Sequence, residues 1–204
     1  MRSNPNQSPI GIGVFGGSFD PPHLGHFISA RIAAEQLHLE RVIVVPTHIQ
    51  PLKAGQTLTP AELRWEMVKA AVSDDALFQP DRTELDRGGV SYTVDTLREL
   101  AARYPAPAHQ LYLLLGADSL AEMDAWRDRD EIFRLARVAV MARLENDSPA
   151  LPESTERPIF FLKTPVIEIS STMIRRRVAQ RLPIRMLVGA EVDAVIAAHR
   201  LYQD

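Results

Sequence analysis

Gly16-Gly17-Ser18-Phe19-Asp20-Pro21-Pro22-His23-Leu24-Gly25-His26 decides how this chain is read. Ahead of it, Ile10 to Phe15 is a short apolar run that predicts a buried strand. Behind it, the pattern from about Phe27 to Leu37 predicts a helix. The stretch is therefore a long strand-to-helix turn rich in Gly and Pro. Such turns bind phosphate in α/β proteins, because glycine lets the backbone approach a ligand and the following helix offers free N–H groups and a positive dipole end. The two histidines stand at i and i+3, so they share a face at the helix start. Each imidazole can donate a hydrogen bond to a phosphate oxygen and stabilise charge growing there.

Working outward, the same periodicities recur. Arg41 to Pro46, Leu111 to Leu115 and Val138 to Ala142 read as buried parallel strands. Phe78 to Leu85 is weakly patterned, with room for a short strand, and Ile159 to Leu162 and Val166 to Ile169 read as short strand material. Helical patterns cover Gly25 to Leu37 with Phe27, Ile28 and Ile32 on one side, a segment after Thr59, Thr93 to Tyr104, Arg129 to Leu135, Ser171 to Gln180 and Ala190 to Leu201. In the last of these, Val192, Val195, Ile196 and His199 are expected to face inward. Thr59-Pro60-Ala61-Glu62 reads as a capping box, with Leu63, Met67, Ala70 and Ala71 as the buried stripe. Residues 1–9 read as a disordered polar tail and Glu145 to Pro158 as a disordered loop, leaving 10–204 as one domain. Alternating strands and helices predict an α/β fold: a single-domain, Rossmann-like, doubly wound parallel sheet. Its ligand site should lie beyond the carboxyl ends of the strands.

Composition excludes several classes. The 204 residues carry a net charge of −3 and 24% charged residues, so no broad nucleic-acid surface is expected. There is no cysteine, hence no disulfide framework, thiolate nucleophile or Cys-based zinc site. No signal-like or membrane-spanning apolar run appears, which predicts a cytoplasmic protein without a membrane partner. Gly11-Ile12-Gly13-Val14-Phe15-Gly16 matches the spelling of a dinucleotide fingerprint. It lies inside the expected strand rather than in the turn after it, so a dehydrogenase is the weaker reading.

The opening stretch closely resembles the nucleotidyltransferase loop of adenylyltransferases, G-G-[ST]-F-D-P-x-H-x-G-H. A second motif of those enzymes, I-S-S-T-x-I-R, stands intact as Ile169-Ser170-Ser171-Thr172-Met173-Ile174-Arg175. From about Ile10 to Tyr202 the chain looks most like the bacterial nicotinate mononucleotide adenylyltransferase family. The resemblance implies adenylyl transfer from ATP to nicotinate mononucleotide, giving nicotinate adenine dinucleotide and pyrophosphate in NAD biosynthesis. It makes His23 and His26 the catalytic pair, stabilising the transition state without covalent chemistry. Gly16, Gly17, Ser18 and Phe19 would offer backbone N–H groups to ATP, and Lys53, Ser170, Ser171, Thr172 and Arg175 would grip its phosphates. The family usually has P-P-H-K or P-P-H-R where this chain has Gln50-Pro51-Leu52-Lys53; His48 is a weak substitute for the histidine replaced by Leu52.

For nicotinate mononucleotide, the family pattern implies Trp126 stacking on the pyridine ring and backbone N–H groups near Thr93 and Arg127 taking its carboxylate. Ser18 and Asp118 complete that set, Asp118 meeting a ribose hydroxyl. Asp118 could equally be a helix N-cap, and Trp126 a core residue. Arg127 stands where many relatives have Tyr, a change that a backbone contact would survive. Most of Arg176, Arg177, Arg181 and Arg185 are expected to be a solvated face. Magnesium is expected on the ATP phosphates, with no dedicated protein metal site. Oligomeric state is not legible, and a homo-oligomer is left open. Rival readings are adenylyl transfer to nicotinamide mononucleotide or phosphopantetheine, and a non-catalytic ATP-sensing module. A class I aminoacyl-tRNA synthetase is disfavoured by the absence of a Lys-Met-Ser-Lys-Ser motif.

Overall fold

In the computed structural model, which describes residues 8–51, 58–143 and 159–203, six strands form one parallel sheet. They are β1 (Ile10–Gly17), β2 (Leu39–Pro46), β3 (Phe78–Pro80), β4 (His109–Gly116), β5 (Arg137–Arg143) and β6 (Ile159–Thr164), in the order β3-β2-β1-β4-β5-β6. The order reverses between β1 and β4, and the crevice outside the strand ends at such a reversal is where open α/β sheets bind ligands. The doubly wound fold expected from the alternating pattern is therefore present.

Each sheet face buries its own set of helices. On one side Ile12, Val14, Leu113, Leu115, Val138 and Val140 pack with Val94, Leu97 and Leu100 of α4 (Thr93–Arg103). Ile132 of α6 (Arg129–Leu135) and Leu120 of α5 (Ala117–Ala121) join them. On the other side Phe15, Val42, Val44, Leu114 and Met141 meet α1 (Leu24–Leu37). Here α1 offers Phe27, Ala30, Ala33 and Ala34 to the sheet, whereas Ile28 is 41% exposed. The expectation that Ile28 and Ile32 would join Phe27 on the inner face is thus corrected: the small alanines let the helix lie close. The glycines of the false fingerprint have the same explanation. A Cβ on Gly13 would come within 3.0–3.1 Å of Leu39 and Val42, and one on Gly11 within 2.9 Å of Leu39. They make room for core side chains inside β1.

A third cluster joins α2 (Ala61–Ala71) to α7 (Ser171–Ala179), α8 (Arg185–Val188) and α9 (Ala190–Ala198), through Met67, Ile174, Ile184, Val188, Val192 and Ile196. Several local expectations change here. The N-cap of α2 is Pro60 without a side-chain cap. Instead of closing a capping box, Glu62 receives two hydrogen bonds from Arg82, at 2.7 and 2.9 Å. The buried stripe is Arg64, Met67 and Val68, not one built on Leu63. His199 is exposed, with Nε2 3.1 Å from Glu66, rather than inward. Residues 165–170 form no strand. The weakly patterned segment is resolved into β3 and a five-residue helix, α3 (Thr83–Arg87). The loop expected at Glu145 to Pro158 and residues 1–7 of the expected tail lie outside the described residues. Among the described residues no helix is long and apolar enough to cross a membrane.

Candidate active site

A cleft of about 1050 Å³ opens at the carboxyl ends of β1 and β4. Its walls hold every expected site residue except Lys53. Lys53 and Leu52 lie outside the described residues. The volume is at the upper end of the range for small-molecule sites.

At one end, β1 delivers Gly16 and Gly17, the chain bends at Asp20 and Pro21, and it is extended again at His23, the N-cap of α1. The imidazoles of His23 and His26 stack with centroids 3.6 Å apart and planes 20° from parallel. The N–H of His23 donates to Nδ1 of His26 at 3.2 Å, so in the neutral ring the proton sits on Nε2. Nδ1 of His23 is buried without a hydrogen-bond partner among the described residues, and His23 lines the cleft. A Cβ on Gly25 would come within 3.1 Å of that Nδ1, which explains the glycine between the histidines. Phe19, itself 2% exposed at φ 48°, sets its ring edge-on to Phe15 and His26. Burial lowers the His23 pKa to about 4, and burial followed by repulsion from His23 holds His26 well below its ordinary value. Both rings are neutral donors at pH 7 until a ligand brings negative charge.

The Ser170 to Arg175 motif starts α7 across the cleft. Ser170 is the N-cap, its hydroxyl accepting from the Met173 N–H at 3.2 Å. Ser171 Oγ donates to the Pro21 carbonyl at 2.9 Å, and Arg175 Nη1 to the Asp20 carbonyl at 2.6 Å. Arg175 Nη2 reaches Thr172 Oγ1 at 3.3 Å. The motif thus clamps the first loop as well as facing the cleft. Of the neighbouring arginines, Arg176, Arg181 and Arg185 are exposed, while Arg177 donates to the Pro183 carbonyl. Ser18 donates its hydroxyl to Gln50 Oε1 at 3.0 Å. His48 is not a substitute ligand in this arrangement: it is not among the cleft-lining residues, and its Nδ1 lies 2.9 Å from the Gly89 carbonyl.

The other end is built by the start of α4 and the turn after α5. Thr93 opens α4, whose N-cap is Tyr92 without a side-chain cap, so the first-turn N–H groups are not taken by a capping side chain. Trp126 is half-buried against the α4 side of the core. The Arg127 guanidinium lies 4.9 Å from the Tyr92 ring centroid and 3.7 Å from Asp95. Asp118 is exposed in the first turn of α5, where Gly116 rather than Asp118 is the N-cap. Beneath this end Glu84 is buried, its pKa raised by burial, and accepts from Thr96 Oγ1 at 2.6 Å.

Sequence reasoning missed Arg64, Asp20 and Tyr202. Arg64 is 1% exposed and Asp20 5% exposed, and Tyr202 donates to Asp20 Oδ1 at 2.6 Å. An Arg one turn from Met67, on the apolar side of a helix, was a readable signal for the first. Nothing local links Asp20 to Tyr202. Among the described residues no group of three or more His, Cys, Asp or Glu could hold a metal ion.

The cytidylyltransferase-like family model matches residues 14–177. A probable nicotinate-nucleotide adenylyltransferase of Thermus thermophilus is 42% identical over 193 residues, covering 94% of this chain and 99% of that one. Its namesake in Roseiflexus is 40% identical over 201 residues, covering 94% and 98%. Among solved structures, a Plasmodium falciparum nicotinic acid mononucleotide adenylyltransferase complexed with NaAD superposes with a TM-score of 0.72 at 17% identity, covering 95% and 97%. At that identity the likeness speaks for the fold.

Proposed function

The chain belongs to the nicotinate-nucleotide adenylyltransferases of the cytidylyltransferase-like family, and we propose that it adenylylates nicotinate mononucleotide for NAD biosynthesis. The 5′-phosphate of nicotinate mononucleotide attacks the α-phosphorus of ATP, and pyrophosphate leaves. No covalent enzyme intermediate forms. The observation that carries this reading is the stacked, neutral His23–His26 pair at the start of α1, in one cleft with Trp126 and the start of α4.

The residues supply position and charge compensation. Nε2–H of His26 and Nε2 of His23 meet the phosphates, and the pKa of each ring rises as the triphosphate approaches. Backbone N–H groups of the Gly16 to Phe19 segment and the α7 N-terminus cradle the remaining oxygens. Arg175 and Lys53 add cationic contacts. Trp126 stacks on the pyridine, the backbones at Thr93 and Arg127 take its carboxylate, and Asp118 meets a ribose hydroxyl. Magnesium, held by the ATP phosphates rather than by a protein cluster, would spread their charge. The reaction belongs in the cytoplasm, where ATP is at hand.

Pyrophosphate release with ATP and Mg²⁺ tests the reading, comparing nicotinate mononucleotide, nicotinamide mononucleotide and phosphopantetheine as acceptors. A strong preference for the first is expected. A site of carboxylate donors rejects the amide because the amide leaves buried donors badly paired. Equal turnover of both pyridine nucleotides would remove the carboxylate site, and silence with all three would remove the enzyme.

A further inference from the structure

Arg64 is a buried cation that does not line the cleft. Among the described residues its guanidinium bonds carbonyl oxygens: Nε to Thr59 at 2.9 Å, Nη1 to Ser18 at 2.8 Å and Thr47 at 2.7 Å, Nη2 to His48 at 3.3 Å. Burial pulls its pKa below the ordinary arginine value, with Asp20 opposing. A cation sunk among carbonyls costs more than an apolar side chain of like size. What the rigid, forked guanidinium adds is orientation, since it binds several carbonyls at fixed angles.

Asp20 is the second anchor. Its carboxylate accepts from the Tyr202 hydroxyl at 2.6 Å and the Thr59 N–H at 3.2 Å. Tyr202 comes from beyond α9 at the far end of the chain, and its hydroxyl is also 3.8 Å from Met67 Sδ. Four carbonyls of the first loop are thus tied down: Gly17 by the Thr47 N–H at 2.9 Å, Ser18 by Arg64, Asp20 by Arg175, Pro21 by Ser171. The Gly17–Ser18 and Ser18–Phe19 peptides are trans, so each N–H points opposite to its carbonyl. With those carbonyls held on Thr47 and Arg64, the N–H groups of Ser18 and Phe19 are turned the other way, and both residues line the cleft.

We infer that Arg64 and Tyr202 are positioning residues for the reaction, holding the phosphate-binding loop from beneath so that the Ser18 and Phe19 N–H groups meet the ATP phosphates. This rests on the adenylyltransferase reading for the identity of the anion. Neither residue touches substrate.

The test compares wild type, Arg64→Lys and Tyr202→Phe by MgATP titration calorimetry, pyrophosphate release and thermal unfolding. Lysine keeps the charge and loses the fork; phenylalanine keeps the ring and loses the bond to Asp20. Arg64→Lys is expected to bind MgATP about tenfold more weakly and to lower kcat about 10²-fold, the scale of an ångström misplacement. Tyr202→Phe should lower kcat severalfold. The KM for nicotinate mononucleotide should change less than MgATP affinity in both, because Trp126 and the start of α4, which Arg64 and Tyr202 do not hold, build most of that end. Wild-type kcat and MgATP affinity per folded molecule, with only the melting temperature lowered, would overturn the inference. If Arg64→Lys does not fold, Tyr202→Phe decides on the same criteria. If the wild type releases no pyrophosphate, the proposed reaction fails, and MgATP affinities still decide whether these residues position the loop.

Discussion

The two ends of the cleft are built differently. At the end proposed for phosphate, the two imidazoles stack on one another, the N-cap backbone is bonded to a ring nitrogen, and the carbonyls of Ser18 and Asp20 are tied to protein donors. At the pyridine end, Trp126 is half-buried, Arg127 is 53% exposed and Asp118 is exposed. The first arrangement suits chemistry, because donors aimed at developing charge help most when they need no reorganisation. The second suits the recognition proposed for it, an aromatic face and a helix start for a ring and its carboxylate.

Removing a histidine should break the contrast hardest. His26→Ala is expected to lower kcat about 10²–10³-fold with little change in nicotinate mononucleotide KM, read from steady-state pyrophosphate release. A larger effect on acceptor KM than on kcat would reverse the assignment of the two ends.

Acid should reach the phosphate end next. The folded pKa of His23 is depressed to about 4 by burial, so between about pH 6.5 and 4 the unfolded chain binds more protons than the folded one. Stability from this group is therefore full above pH 6.5 and falls as pH falls through that window, by about 3 kcal/mol in all. Urea midpoints at pH 7.5, 6 and 5 should show the decline, and His23→Gln should make it shallower, leaving the part that the buried His26 contributes. The same depression predicts proton uptake when MgATP binds near pH 6, measured by calorimetry in buffers of unlike ionisation enthalpy. Binding with no proton uptake would mean that the triphosphate does not reach the rings.

Smaller changes sharpen the comparison. Gly25→Ala places a Cβ where the His23 ring now lies, and should cost about tenfold in kcat, since misplacement of an ångström costs up to about 10²-fold. Trp126→Ala should raise the KM for nicotinate mononucleotide about tenfold and spare MgATP affinity, in keeping with about 1–3 kcal/mol for a stacked ring. Arg127→Ala should stay within about twofold on both, because its head group is turned onto Tyr92 and Asp95. A large loss there would mean that the guanidinium swings to the ligand.

What could be read in advance depended on range. The strand before Gly16, the helix after His23 and the N-capping serine at 170 follow from local pattern, because an N-cap, a glycine turn and an apolar period act over a few residues. Local pattern misled where a distant partner intervened: Glu62 went to Arg82 instead of closing its own capping box, and His48 went to the Gly89 carbonyl. Short elements such as α3 and α8 carry too few residues for a period to show.

The sequence by itself determined the doubly wound class and the family. Periodicity and motif are properties of neighbours in the chain. Tertiary structure alone decided that Arg64 lies beneath the loop with its charge on four carbonyls, and that Tyr202 reaches Asp20 from the other end of the chain. Those contacts arise because folding brings α2, the residues after α9 and the first loop to one edge of the sheet. A hydrogen bond between residues so far apart exists only once the core has placed both partners.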